Sequence, residues 1–407
     1  MRKNAPAEID LSEVLYMKKI ISLAVLIFLM LASFGCDGDN TSTPSVSKEE
    51  SEESIFQNVS ETVSEEESFS QESAEDEISQ EVSEEASEEE SVPEISEEVS
   101  EETSKEESYI PPQTSTSEPV YLSTGFVLYN GAAYTQSFYV SSVAPRYAAV
   151  YEQYADLFPE TRINVIIAPL ASITILDPSV RISSQSKILD YMEATITGDV
   201  NFVNLKNVYV KHAEEYLFFR SDHHWTHRGA YYAYSEFVKS VGITPTPIES
   251  FEKTVLCENY IGSMYSFTGD ARVKSYYDTV EAYMPTKVCT MTIHNNNGTT
   301  SVYNTTVVKN FGNYCAFIAG DHPYITINVP ENDQSKSILV IKDSYGNAFV
   351  PYLTEHYGNI IVIDPRHTDM NVYENFKDYG LDDIVFLVNS SMGNTSAWCD
   401  YFAKLIK

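Results

Sequence analysis

The chain has few basic residues and many acidic ones. Its 407 residues include 26 Lys and Arg against 60 Asp and Glu, for a formal net charge of −34 at pH 7. The acidic residues are concentrated between Lys48 and Glu107, a segment that has 25 acidic residues and two lysines. Residues 118–407 have 30 acidic and 20 basic residues. Neither part clusters Lys and Arg as phosphate neutralisation requires, so nucleic acid is excluded as an expected partner.

The chain also lacks an apolar run of membrane-spanning length near its N-terminus. The run from Ile20 to Leu31 has about a dozen residues, whereas a span needs roughly 20. It follows two lysines and precedes "ASFGC", which ends at Cys36, as in an export signal. The cysteine resembles the lipidated residue of a bacterial lipoprotein signal, with plain secretion as the alternative. We therefore expect residues 1–36 to be a signal or lipoprotein peptide, with Met17 as the alternative start of translation.

Cysteine is scarce, with five in the chain. The four that follow Cys36 are too widely spaced for a CxxC zinc or redox motif. An exported chain could pair some of them, and buried free thiols are the alternative. The sequence leaves open the pairing of Cys257, Cys289, Cys315 and Cys399.

Residues 37–119 are mostly Ser and Glu, as in "SEEASEEESVPEISEEVSEETSKEES". Such a composition cannot bury enough apolar area to offset backbone entropy, so we expect a disordered linker that self-repulsion extends. We interpret it as a spacer that lifts the folded domain away from a membrane. Cation sequestration by the glutamates is an alternative for which no ligand geometry is encoded.

Residues 120–407 carry the pattern of one α/β domain. Short apolar runs are typical of strands buried on both faces, and helical patterns lie between or beside them. This alternation predicts a doubly wound, mostly parallel sheet with ligands at the carboxyl ends of its strands, and an antiparallel β segment inserted around residues 286–328. The predicted strands are "RINVIIAPL" (162–170), "SILVIKDS" (337–344), "NIIVIDPR" (359–366) and "DIVFLVNS" (383–390).

The motif "SILVIKDSYGNAFVPYL" combines a strand, a sharp turn and a helix. Ser344 lies in the turn, where backbone N–H groups and the helix dipole could stabilise an oxyanion. A hydroxyl is a weak nucleophile unless a neighbouring base takes its proton. Ser344 is therefore a candidate nucleophile that needs a base from elsewhere.

The motif "RSDHHWTHRGAYYAY" offers that base. It precedes a helix for which Thr226 is the expected N-cap, so we expect residues 222–225 to be extended. Residues two apart in an extended chain point the same way, which places Asp222 and His224 together and His223 opposite. A carboxylate that accepts a hydrogen bond from an imidazole fixes its tautomer and stabilises the imidazolium. The residues thus predict an Asp222–His224 pair that acts on Ser344.

The histidine cluster has other interpretations. His223 and His227 are four apart and could ligate a metal together with Asp222 or His224. More simply, His227 is an exposed residue of the first helical turn and His223 is a hydrogen-bonded packing residue. The aromatic residues of the motif are interpreted as core, with sugar stacking as the alternative: Trp225, Tyr231, Tyr232 and Tyr234.

Together, "DHHWT" with "RGAYYAY" and the later "LVIKDSYGNAFVPYL" with "IVIDPR" resemble the DHHW family of exported bacterial proteins. More distantly, the chain resembles SGNH hydrolases and the alginate-type O-acetyltransferase proteins. The resemblance implies a flavodoxin-like SGNH fold with Ser344 as nucleophile, His224 as general base and Asp222 as the residue that orients it. It also makes Gly346 and Asn347 candidates for oxyanion or substrate binding.

The chain departs from the SGNH pattern in two places. Lys342 replaces the Gly that usually precedes Asp-Ser, and no "GxND" block supplies an oxyanion Asn, for which Asn389 could substitute. Arg366 ends a strand and could clamp an anionic substrate group, with a salt bridge to Asp364 as the alternative.

The expected function is that of an exported, lipid-anchored enzyme acting on acyl esters, such as acetyl esters, of cell-surface or extracellular polysaccharide. O-acetyl transfer and ester hydrolysis share an acyl-Ser intermediate, and the sequence does not separate them. We expect an acylated glycan and a membrane acyl-donor protein as partners, and neither a cofactor nor a metal. A glycan-binding module with a vestigial triad and a metal-binding protein using the histidine cluster are the alternatives.

Overall fold

The computed structural model describes residues 118–136, 140–391 and 395–407. The expected signal peptide with Met17 and Cys36 lies outside the described residues, as does the expected linker up to residue 117. Within the described ranges, no helix is both long and apolar enough to cross a bilayer.

The described residues contain one large sheet and two small ones. The strands are β1 (Val120–Tyr121), β2 (Phe126–Tyr129), β3 (Ala132–Thr135), β4 (Arg162–Ala168), β5 (Val200–Val203), β6 (Glu252–Tyr260), β7 (Asp278–Met284), β8 (Thr290–His294), β9 (Thr300–Tyr303), β10 (Tyr324–Asn328), β11 (Ser337–Lys342), β12 (Asn359–Ile363) and β13 (Asp383–Asn389).

The large sheet has the order β5-β4-β13-β11-β12-β10-β8-β9. Its first five strands are parallel, and β10, β8 and β9 continue it antiparallel. Strand β11 lies between β13 and β12 and is buried along its whole length, which explains its unbroken apolar run. The carboxyl end of β11 is therefore near the middle of the sheet.

Helices pack against this sheet and against one another through aromatic side chains. The rings of Tyr151 and Phe386 are 4.8 Å apart, and those of Phe237 and Phe349 are 5.9 Å apart. These contacts join helix α1 (Ala144–Leu157) to β13, and helix α4 (His227–Ser240) to helix α6 (Gly346–Leu353). The helices are α1 (Ala144–Leu157), α2 (Gln185–Thr195), α3 (Lys206–Lys211), α4 (His227–Ser240), α5 (Met264–Thr268), α6 (Gly346–Leu353), α7 (Val372–Phe376) and α8 (Ala397–Lys404).

The predicted mixed α/β class with a large, mostly parallel central sheet is confirmed. The four predicted strands are present, and the segment around 286–328 forms antiparallel strands that extend the same sheet. Doubly wound packing stays a prediction. The sequence did not reveal the β1–β3 sheet or the β6–β7 pair, whose short or weakly apolar strands carry little periodic signal.

Among the described residues, Cys257, Cys289 and Cys399 are free thiols.

Candidate active site

The candidate nucleophile lies in a tightly held turn between β11 and α6. Asp343, directly before Ser344, is buried, and its Oδ1 accepts a 2.9 Å hydrogen bond from the Tyr345 N–H. Its Oδ2 accepts 2.7 Å bonds from the backbone N and from Nδ2 of Asn389 at the end of β13. The Asp343 carboxylate therefore ties the Ser344 turn to the neighbouring strand.

Gly346 is required at the start of α6 by close packing. A Cβ on Gly346 would lie 2.6 Å from the Cβ of Lys342, a distance that Cβ atoms do not reach. The glycine lets the first turn of the helix lie directly on the end of β11. The position of Ser344 thus depends on the absence of a side chain two residues later.

The turn that carries Asp222 and His224 is bent, so the expectation of an extended chain is wrong. Asp222 Oδ1 accepts a 3.0 Å hydrogen bond from the His224 N–H, which folds the chain back around the carboxylate. The helix begins at His227 as expected, and the Thr226 hydroxyl accepts a 3.1 Å bond from the Gly229 N–H. The two side chains come together through a local turn rather than through strand alternation.

The turn places an imidazole between a carboxylate and a hydroxyl. His224 Nδ1 is 2.7 Å from Asp222 Oδ1, and His224 Nε2 is 2.7 Å from Ser344 Oγ. Burial acts to raise the pKa of Asp222, but the neighbouring His224 and the hydrogen bonds to the carboxylate lower it well below its usual range. The ionised Asp222 only accepts, so Nδ1 carries the proton and Nε2 accepts from the Ser344 hydroxyl.

Residues from a distant hairpin complete the surroundings of Asp222. Its Oδ2 accepts hydrogen bonds from the Tyr260 hydroxyl at 3.1 Å, from the Ser263 N–H at 3.0 Å and from the Ser263 hydroxyl at 3.2 Å. Gly262 lies so close that a Cβ there would be 2.3 Å from the Asp222 side chain. The Asp222 carboxylate is therefore held by four donors besides the backbone N–H of His224. They are the His224 ring, the Tyr260 hydroxyl, and the N–H and hydroxyl of Ser263.

Asp278 of β7 anchors the segment that leads into the turn. It is buried, and its carboxylate accepts hydrogen bonds from the Arg220 N–H at 2.9 Å, the Ser221 N–H at 2.8 Å and the hydroxyls of Ser221 and Tyr216 at 2.5 Å each. Tyr314, after β9, stacks on the His224 ring at 3.9 Å between centroids. Because these contacts join residues far apart in the chain, the local motif gave no sign of them.

His227 is fully buried, so the prediction of an exposed first-turn residue is wrong. Its Nδ1 accepts a 2.8 Å hydrogen bond from the Tyr283 N–H, its ring lies against Phe317 and Tyr352, and burial lowers its pKa to about 3. The residue is oriented by the packing of α4 against β7. Trp225 and Tyr234 are buried as expected.

Three potential ligand atoms from Asp222, His223 and His224 lie within 4.8 Å of one another. Both ring nitrogens of His224 are already hydrogen-bonded, to Asp222 and to Ser344. His227, which the metal interpretation paired with His223, bonds to the Tyr283 backbone instead. A second group, Asp321, Asp364 and His367, has its two carboxylates paired with buried cations.

The candidate binding residues have other partners. The Gly346 N–H donates to the Asp343 carbonyl at 2.9 Å, the Asn347 N–H donates to the Ser344 carbonyl at 3.2 Å, and Asn347 Nδ2 donates to Asp321 at 2.9 Å. Because these donors are engaged inside the turn, they are not directed at a ligand. The same holds for the Asn389 side chain, which Asp343 holds.

Arg366 forms the salt bridge that was the alternative to substrate clamping. It pairs with both oxygens of Asp364 and, at 2.7 Å, with Asp321, which Lys342 also contacts at 2.7 Å. Burial acts to lower the pKa of Arg366, but Asp364 and Asp321 raise it above its usual range. Lys342, which stands where the SGNH pattern has a glycine, is therefore the centre of a buried ion-pair network.

An open pocket leads to Ser344. Arg366 and Trp398 lie on its wall with the guanidinium 5.5 Å from the Trp398 ring centroid. The pocket is lined by Thr135, Leu170, His223, Asp343, Ser344, Tyr345, Arg366, Asn389, Ser391 and Trp398. Ser344 is therefore part of the wall of an open pocket, where binding sites for small molecules commonly lie.

The described residues define an α/β protein in which Ser, His and Asp side chains join at the carboxyl end of a central parallel strand. A family model described as "DHHW protein" matches residues 36–363. The chain belongs to the DHHW family, as the resemblance indicated.

Two solved structures, those of a DHHW family protein and of PatB1, agree on the fold. A DHHW family protein from Eubacterium siraeum has a TM-score of 0.63 and 21% identity over 70% of this chain and 97% of that chain. PatB1 from Bacillus cereus, solved with a sulfonyl adduct, has a TM-score of 0.57 and 16% identity over 68% of this chain and 98% of that one. The O-acetyltransferase domain of Pseudomonas putida AlgJ matches more distantly, with a TM-score of 0.42 and 12% identity over 70% and 98%. No curated protein sequence matches this chain significantly.

Proposed function

We propose that the protein is an SGNH-like serine enzyme that transfers or hydrolyses acyl groups, such as acetyl groups, on cell-surface or extracellular polysaccharide. The observation that carries this proposal is the hydrogen-bonded series from Asp222 through His224 to Ser344, with both junctions at 2.7 Å. Such a series matches the requirements of nucleophilic acyl chemistry in both proton position and geometry.

In the first step Ser344 Oγ attacks the ester carbonyl, and its proton passes to His224 Nε2. Asp222 stabilises the imidazolium, because its carboxylate stays ionised and in contact with Nδ1. The imidazolium then protonates the departing alcohol oxygen as the C–O bond of the ester breaks. The product of this step is an acyl-Ser344 ester.

The oxyanion of this step needs a donor close to Ser344. The Ser344 N–H makes no hydrogen bond to any residue in the described ranges, whereas the N–H groups of Gly346 and Asn347 do. We assign the Ser344 N–H as the oxyanion donor. The N-terminus of α6 adds a favourable dipole.

Deacylation runs through the same side chains. A hydroxyl or water gives its proton to His224 Nε2, attacks the acyl carbon and releases Ser344, which regains the proton. The polysaccharide substrate and the membrane acyl donor are proposed from the family resemblance.

The test is turnover of a chromogenic acetyl ester by the wild type, Ser344→Ala, His224→Ala and the double variant. Either single change should remove nearly all the turnover that both remove together, because the triad acts as a unit. Ser335→Ala, at an exposed hydroxyl, is the matched control. A sulfonyl fluoride should label the wild type and not Ser344→Ala. Labelling or turnover that survives the loss of Ser344 contradicts the proposal.

We further propose that the protein is exported and anchored through a lipid on Cys36. The basic, apolar and small-residue segments before Cys36 support this. Cys36→Ser should move the protein from the membrane fraction to the soluble fraction of cells that express the full chain. Unchanged fractionation contradicts the anchor and leaves the enzymatic proposal unaffected.

A further inference from the structure

His223 lies beside the triad and on the wall of the pocket. Its side chain is 23% exposed, and its ring centroid is 3.8 Å from that of His224. Its Nδ1 is 2.6 Å from Ser263 Oγ, whereas its Nε2 makes no hydrogen bond to any residue in the described part of the chain. The ring therefore presents Nδ1 to the protein and leaves Nε2 without a protein partner among the described residues, in a residue that lines the pocket.

The Ser263 hydroxyl indicates which nitrogen of His223 carries the proton. Ser263 has one hydroxyl proton, and its Oγ is 3.2 Å from Asp222 Oδ2, an ionised oxygen that can only accept. Donation to a carboxylate is the stronger, charge-assisted bond. The hydroxyl then accepts from His223, which requires a proton on His223 Nδ1.

The charge of Asp222 favours the same tautomer. His223 Nδ1 lies 3.9 Å from Asp222 Oδ1. A proton on Nδ1 places positive charge next to the carboxylate, whereas a lone pair there would be repelled. In addition, burial and the neighbouring His224 lower the pKa of His223 to about 3, so the ring is neutral at physiological pH. Its Nε2 is then an acceptor without a proton.

We propose that His223 is a specificity-determining residue whose Nε2 accepts a hydrogen bond from a hydroxyl of the acyl acceptor. This inference rests on the proposed function and adds a preference for transfer to a hydroxyl compound over hydrolysis. A deprotonated phosphate or carboxylate offers no proton to Nε2, whereas a polyol or sugar does. The acceptor class is therefore a neutral compound with at least two hydroxyl groups.

Two hydroxyls are required because the reacting one has a different partner. Its proton goes to His224 Nε2 while its oxygen bonds to the acyl carbon, and the bond from the acyl carbon to Ser344 Oγ breaks. The proton then returns to Ser344 Oγ. A second hydroxyl of the same acceptor donates to His223 Nε2 and keeps its proton throughout, so atoms and charge balance without a further reactant.

The tautomer is measured by ¹⁵N NMR of histidine-labelled protein at pH 7, with His223→Asn used to assign the signals. We expect the His223 signals of a neutral ring protonated on Nδ1. A proton on Nε2, or a charged ring, contradicts the inference whatever the enzymatic activity.

The acceptor preference is measured as the partition of the acyl-enzyme between glycerol and water, with a chromogenic acetyl ester as donor. Both products arise from one acyl-Ser344 intermediate, so their ratio does not depend on how fast that intermediate forms. The His223→Asn amide reaches only as far as Nδ1 and keeps the contact with Ser263, whereas the His223→Gln amide reaches the position of Nε2. We expect Asn to lower the transfer-to-hydrolysis ratio about tenfold, and Gln to stay within about threefold of the wild type.

Equal ratios in the wild type and both variants, with thermal unfolding unchanged, overturn the inference and leave the serine mechanism intact. Equal lowering in Asn and Gln also overturns it, because a packing role would not distinguish the two amides. If the wild type shows no turnover that Ser344→Ala abolishes, the proposed function fails and this inference fails with it.

Discussion

The Tyr314 ring lies face to face with the His224 imidazole, with 3.9 Å between centroids and 9° between planes. Its hydroxyl donates a 3.0 Å hydrogen bond to the Ser344 carbonyl. Tyr314 thus contacts the proposed base and the turn of the proposed nucleophile at once. An aromatic face would also stabilise the imidazolium that the proposed acyl transfer requires.

Tyr314→Leu should lower kcat/KM for the acetyl ester roughly tenfold, because it removes the aromatic face. Tyr314→Phe keeps the stack, loses the hydroxyl contacts with the carbonyls of Ser344 and Tyr345, and should retain most of the activity. Steady-state kinetics of both variants make the comparison. Equal loss in Phe and Leu would assign the effect to the hydroxyl instead of the ring.

Asp222 should make the fold more stable at neutral pH than in acid. The folded-state pKa lies below the ordinary value of about 3.9, so the contribution of the carboxylate is present above that value and is lost as pH falls below it. The difference in unfolding free energy between the wild type and Asp222→Asn should therefore shrink from pH 7 to pH 3. Urea unfolding at each pH measures this difference. A difference of the same size at pH 7 and pH 3 would contradict the prediction.

Asp278→Asn should reduce both stability and activity although Asp278 does not touch the pocket. The amide cannot accept from all four donors that surround Asp278, so buried groups of Arg220 and Ser221 lose a partner. We expect a loss of about 2 kcal/mol or more in urea unfolding, and a lower kcat because the turn with Asp222 shifts. The control is Asp190→Asn, at an exposed ion pair with Lys206, for which we expect less than about 1 kcal/mol.

Lys342→Met should be strongly destabilising. Lys342 is fully buried between Asp321 and Asp364, which would be left to share Arg366. Breaking such a pair costs about 3–5 kcal/mol. The double change of Lys342→Met with Asp321→Asn should recover much of that loss in chemical unfolding, because it removes the unpaired charge. If the double variant loses as much stability as Lys342→Met and Asp321→Asn lose separately in sum, the ion pair is not the source of the effect.

The sequence was sufficient for the parts of the molecule in which neighbours in the chain decide the structure. The apolar run before Ser344 predicted a buried strand, and Thr226 predicted the start of a helix. It was insufficient where one side chain depends on distant ones. His227 was predicted to be exposed because a first-turn histidine usually is, yet α4 packs that face against β7.

In the candidate site, too, the local contacts could be predicted from the sequence and the distant ones could not. Asp222 and His224 do lie together, but through a turn instead of the predicted extended chain. The residues that hold them, Tyr260, Ser263 and Asp278, lie in a hairpin with little periodic signal. Arg366 could not be assigned, because its partner Asp321 is 45 residues away in the chain.

The indole of Trp225 gives the molecule an internal optical probe. Its Nε1 donates a 2.9 Å hydrogen bond to the Tyr345 carbonyl, across 120 residues and next to Ser344. Since Trp398 is the second of two tryptophans, Trp398→Phe leaves a single tryptophan. Its indole N–H is bonded to the Tyr345 carbonyl only when the Trp225 segment and the Ser344 turn are in contact. The tryptophan fluorescence of that variant would follow assembly of the site during refolding in real time, without any substrate present.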